Sequence, residues 1–119
     1  MEISNITVSE NIIEIACSGK VASESLLNLI DKVKIILKDK QEVKNILVDL
    51  TGIEGKLSFM EHFTLGEDIA KKLSNYRLAV ITNTSTVNKV AENVATKKGA
   101  RMLMTHKRQE ALDWFLKSK

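Results

Sequence analysis

Ile46-Leu47-Val48-Asp49-Leu50 is an apolar run that closes on an acid, with the turn formers Thr51 and Gly52 directly behind it. A run that short, bounded by turn residues, fits a β-strand covered on both faces, as in a parallel sheet. The pattern recurs at Leu78-Ala79-Val80-Ile81 and, shorter, at Met102-Leu103-Met104. Between these runs the apolar period lengthens to that of a helix. Phe59, Phe63, Ile69, Ala70 and Leu73 predict a helix over 58–74, and Val87, Val90, Ala91 and Val94 predict another that Gly99 stops.

Upstream, Leu26, Ile30, Val33 and Leu37 share one face of an expected helix over 23–38. Residues 2–8 and 11–18 read as strands, with Ile13, Ile15 and Cys17 alternating with Glu14 and Ser18. Ser9-Glu10-Asn11 between them suits a tight hairpin. Downstream, residues 106–117 predict a closing helix around Ala111, Leu112, Phe115 and Leu116. Thr105 is its expected cap, and the last strand and third helix its expected neighbours. The order ββαβαβαβα predicts an α/β fold: a mostly parallel five-stranded sheet with about four helices, built from right-handed crossovers. At 119 residues, the expectation is one domain spanning 1–119.

Composition narrows the function. One cysteine excludes an internal disulfide framework, and no proline with five glycines implies short connections. No stretch approaches the roughly 20 apolar residues that span a bilayer, and MEISNITVSE lacks the pattern of a secretory signal. A cytoplasmic location with no membrane insertion is the expectation. The net charge of +3 divides into −2 over residues 1–60 and +5 over 61–119. Lys97 and Lys98 sit where cations suit a helix C-terminus. With one Trp and one Tyr there is no stacking platform, so no nucleic-acid partner is expected.

In a parallel sheet, sites collect at the carboxyl ends of the strands. That rule selects Asp49, Thr51, Gly52, Glu54, Gly55 and Ser58 after one strand, Thr82, Asn83, Thr84 and Ser85 after the next, and Thr105 and His106 after the last. Ser, Thr and Asn are also the preferred helix caps, and Ser58 with Glu61 three residues on matches a capping box, with Leu57 beside it. No nucleotide-loop, nucleophile-elbow or zinc-helix motif occurs, and Cys17 reads as a small buried hydrophobe. No catalytic residues, metal or cofactor are expected. An enzyme would need His106 or Glu54 as base and Thr51 or Ser58 as nucleophile, and no spacing pairs them.

Ile46-Leu47-Val48-Asp49-Leu50-Thr51-Gly52-Ile53 resembles the strand-to-helix signature of the sulfate-transporter and anti-sigma-factor-antagonist (STAS) family. Gly55-Lys56-Leu57-Ser58, Ala79-Val80 and Glu110-Ala111-Leu112-Asp113-Trp114-Phe115 are similar to an uncharacterised bacterial STAS-like branch. The resemblance runs from about residue 2 to residue 117. It implies a βα superhelix and a non-enzymatic regulatory module that docks to a protein partner, such as a kinase-type regulator. A homodimer is left open. It also implies that Ser58, at the start of the second helix, is a phosphorylation site, although Leu57-Ser58-Phe59-Met60 stands where regulatory members carry Asp-Ser-Ser-Gly. The expected partner or ligand rim is Asp49, Thr51, Gly52, Ser58, Phe59, His62, Thr82, Asn83 and His106. The fold group is also similar to the CRAL-TRIO lipid-binding domains. That implies an alternative, a carrier of a small apolar ligand, with Phe59, Met60 and Phe63 lining the cleft if they are not simply core.

Overall fold

The computed structural model describes residues 1–83 and 89–117. The chain forms β1 (Glu2–Ser9), β2 (Ile12–Lys20), α1 (Ser23–Leu37), β3 (Asn45–Glu54), α2 (Phe59–Leu73), β4 (Arg77–Ile81), α3 (Val90–Lys97), β5 (Arg101–Thr105) and α4 (Arg108–Lys117). Every element expected from the sequence is present, in the expected order. Val87, Thr84 and Ser85 lie outside the described residues. The β1–β2 hairpin turns on Glu10 and Asn11, with Glu10 at φ 33, the positive φ that two-residue hairpin loops favour.

The five strands lie in sequence order, β1-β2-β3-β4-β5. β1 runs antiparallel to β2, and every later neighbour pair is parallel. The register aligns apolar rows across the sheet: Ile13, Ile46, Leu78 and Met102 form one, and Ile15, Val48, Val80 and Met104 another. Crossovers of one hand that always step in one direction put all their helices on one face. α1, α2 and α3 accordingly cover these rows and make the main core. Parallel strands that never reverse their order leave no topological switch point between them, so the carboxyl rim stays a one-sided ledge.

Only α4 covers the other face among the described residues. Ala111 and Phe115 pack there on Leu47, Ala79 and Ile81, a second and smaller cluster. The expected contact between the closing helix and α3 is therefore corrected: α3 serves the opposite face. Leu116, expected in the buried stripe, is 64% exposed because its direction on α4 carries it off the sheet. Thr105 does receive the Lys107 N–H, at 3.1 Å, but the helix begins at Arg108, so the hydroxyl closes the turn ahead of it.

Two charged clamps brace the exterior. Arg108 forks onto the Glu14 carboxylate from α4 to β2, and Lys72 bridges Asp31 of α1 and Asp68 of α2. Glu92 accepts the Met104 N–H at 2.6 Å, which occupies a donor on edge strand β5.

Candidate functional site

The rim differs from its sequence outline because β3 is longer. β2 stays paired with it out to Lys20 and Glu54, whereas β4 ends with Ile81 opposite Asp49. Thr51, Gly52 and Glu54 are thus strand residues in an overhang past β4, not a loop. Gly52 has a steric reason to be glycine: a Cβ there would lie 2.9 Å from the Cys17 carbonyl oxygen on β2. Asp49 turns its carboxylate to Thr51, accepting from the backbone N–H at 2.9 Å and from Oγ1 at 2.6 Å. The Asn83 side-chain amide donates to the Thr51 carbonyl, which ties the end of β4 to the overhang.

The chain leaves the overhang through Gly55, at φ 95, and enters α2 at Ser58. The capping box forms as the sequence suggests. Ser58 Oγ accepts the Glu61 N–H at 3.2 Å, and the Glu61 carboxylate accepts the Ser58 N–H at 2.8 Å. The hydrogen bond from the Ser58 N–H, with smaller contributions from the nearby Ser23 and Ser58 side chains, holds the Glu61 carboxyl below its usual range. Phe59 and Met60 follow at 63% exposure each, and Phe63 is half-buried with its ring 6.5 Å from that of Phe59. Phe59, expected at the apolar spacing of α2, is corrected: it lies in the first turn, beyond the edge of the sheet.

Behind this turn lies a cavity of about 500 Å³, between the sheet and the three helices. Its walls include Leu29, Ile46, Val48, Ile69, Val80 and Met104. Phe59, Met60 and Phe63, the cleft-lining residues expected from the sequence, do not contribute: Phe59 and Met60 stand exposed in the first turn of α2, and Phe63, half-buried, is not part of the lining. Lys56, His62, Thr82 and Asn83 supply the polar side chains of the lining. His62 is half-buried, and burial pushes its imidazole pKa down against the smaller opposing pull of Glu61. Thr82 Oγ1 is buried with no hydrogen-bond partner among the described residues.

The expected rim residues therefore divide three ways. His62, Thr82 and Asn83 meet at the cavity. Ser58 and Phe59 stand outside it on the exposed turn. Asp49 lies between Val48 and Leu50, which line the cavity, so it faces the α4 side with Thr51, while His106 is exposed beyond β5. The cavity walls were visible in the sequence only as core positions, since apolar periodicity does not distinguish a filled interior from a hollow one.

Chemistry at these groups is restrained. The Thr51 hydroxyl is engaged by Asp49 and the Ser58 hydroxyl by the capping box, with no hydrogen bond from either to His106 or Glu54 among the described residues. Burial, and then the charge of Asp49, pushes the Cys17 thiol up, away from the reactive thiolate. Among the described residues no three His, Cys, Asp or Glu side chains converge as a metal site.

Solved structures settle the architecture. An uncharacterised DUF3478-family protein with a SpoIIAA-like fold from Shewanella loihica PV-4 superposes at a TM-score of 0.54 and 22% identity, covering 95% of this chain and 91% of its own. The chain has a SpoIIAA-like fold. The anti-sigma factor antagonist SpoIIAA, in its unphosphorylated form, superposes at a TM-score of 0.53 and 15% identity, over 98% of this chain and 96% of its own. The SpoIIAA-like fold is the STAS-like architecture that the sequence resembles. No protein-family model matches the sequence, and no curated protein matches it. Among the described residues no helix is long and apolar enough to cross a membrane.

Proposed function

We propose that the protein is a cytoplasmic, non-enzymatic regulator of the anti-sigma factor antagonist type, docking to a kinase-type protein partner through the β3–α2 turn and the first turn of α2. The observation that carries this reading is the exposure of Phe59 and Met60 directly beside Ser58. Two large apolar side chains left in water around an accessible hydroxyl suit a contact surface better than a solvated helix start. The likeness to SpoIIAA supports the class of partner. Phosphorylation of Ser58 by that partner would add about two negative charges where a helix N-terminus stabilises them. The Glu61 carboxylate already occupies the Ser58 N–H, so a phosphate would displace it and open the capping box locally. The switch acts on the docking surface, not on the core.

Titration calorimetry against the purified kinase-type regulator encoded nearest this gene tests the reading. Parent protein binds, Phe59→Ser with Met60→Ser weakens binding at least about tenfold, and Ser58→Asp alters it without changing the melting temperature by more than a few degrees. Binding indifferent to all three changes overturns it.

The cavity favours a second reading, that of a carrier for a small apolar ligand. Its volume lies within the roughly 300–1,000 Å³ of small-molecule sites, and its lining is largely aliphatic. Native mass spectrometry of freshly purified protein checks this: a bound apolar compound supports it, and a clean apo mass that stays apo on exposure to lipid extract removes it.

A further inference from the structure

The cavity is apolar at one end and hydrogen-bonding at the other. Leu78 and Met102 belong to the early parts of β4 and β5, and Leu73 closes α2 beside them. Lys56, His62, Thr82 and Asn83 all belong to segments at or beyond the carboxyl ends of β3 and β4. From Leu78 to Thr82 a strand advances about 13 Å, so the lining extends at least that far along β4.

The polar end is matched to an acceptor. Thr82 Oγ1 is buried and unpartnered among the described residues, which leaves a hydroxyl donor unsatisfied in an apolar wall. His62, kept neutral by burial, retains one ring N–H to donate. Lys56 stands exposed at the mouth as a cation. No Asp or Glu is among the lining residues, and Glu61, beside His62 in the chain, keeps its carboxylate turned to the Ser58 N–H.

Resting on the carrier reading above, we infer that the cavity takes a single-chain fatty acid, its alkyl chain along β3 and β4 and its carboxylate received by Thr82 Oγ1 and His62 with Lys56 as countercharge. A head that only donates would leave the Thr82 and His62 donors unsatisfied. A headless hydrocarbon would offer the hydroxyl no acceptor.

Displacement of the neutral fluorophore N-phenyl-1-naphthylamine from the full, delipidated chain provides the test, with dodecanoic acid, methyl dodecanoate and dodecane as competitors. The fluorophore binds, and the acid displaces it at least about tenfold better than the ester or the alkane. Lys56→Gln, at an exposed position, cuts the advantage of the acid about fivefold and leaves the ester unchanged, and Thr82→Val, which keeps the shape, weakens the acid more than the ester, whose carbonyl also accepts, and leaves the alkane unchanged. Val80→Phe and Met104→Phe, made separately to fill the hollow, abolish binding of every probe in whichever variant keeps the parental circular dichroism. Equal competition by acid and ester, or a preference untouched by both Thr82→Val and Lys56→Gln, overturns the fatty-acid assignment while the carrier reading stands. Failure of the fluorophore to bind, or binding that survives a folded cavity-filling variant, overturns both.

Discussion

Arg77 Nη1 donates to the main-chain carbonyl of Phe115 at 3.0 Å, so the first residue of β4 fastens the last turn of α4. The final carbonyls of a helix have no partner within it, and here a buried guanidinium serves one of them. The aromatic ring of the same Phe115 fills the smaller cluster.

Phe115→Ala should cost about 3–5 kcal/mol through the cavity it leaves. Arg77→Met should cost about 1.5–3 kcal/mol through the lost charged hydrogen bond. Leu116→Ala, one residue further on and exposed, should stay within about 0.5 kcal/mol. Urea unfolding of the three variants checks the ranking, and a costly Leu116→Ala would contradict the helix orientation.

The capping box makes a prediction in acid. Ser58→Ala should destabilise by about 1 kcal/mol. The folded Glu61 carboxyl titrates below its unfolded value, so its contribution is present above the unfolded pKa of about 4.3 and fades as pH falls through the folded value. Glu61→Gln should therefore flatten the acid side of a melting-temperature profile. A parent and variant that lose stability in parallel below that pH would contradict it.

Gly66 reverses the usual rule for glycine in a helix. Replacement by Ala normally gains about 1 kcal/mol. Here a Cβ would lie 2.6 Å from the Ala91 carbonyl oxygen and 2.9 Å from Val94 Cβ, because α3 lies directly against α2. Gly66→Ala should lose about 1–3 kcal/mol, measurable by thermal melting.

His62 should also register in stability. Its folded pKa is lowered, so its contribution is present above the unfolded value of about 6.5 and is lost as pH falls through the folded one. His62→Gln should remove that loss. If fatty acid occupies the cavity, dodecanoic acid should raise the melting temperature of the parent more than that of His62→Gln.

Much of this was legible in the residues. Strand runs such as Leu78-Ala79-Val80-Ile81 and the helical spacing of Leu26, Ile30, Val33 and Leu37 give element order directly, because burial enforces period. Ser58 and Glu61 announced their own hydrogen bonds. The overhang of β3 was not legible, since Thr51-Gly52 is a turn signal locally and becomes strand only because β2 continues beside it. Phe59 misled for a related reason: helical spacing assigns a face, but not whether that turn of the helix still has sheet beneath it.

Strands set side by side in the order of their synthesis allow assembly to follow translation. Each new strand from β2 onward finds its neighbour already made, so a nascent chain can build the sheet from one edge without waiting for distant sequence. The layer of α1 to α3 is laid down crossover by crossover in the same way. The other face has no such schedule: Leu47, Ala79 and Ile81 stay bare until α4 leaves the ribosome. For that interval the growing protein carries an uncovered apolar sheet surface, and α4, made after every strand, is what ends its exposure to chaperones and to other nascent chains.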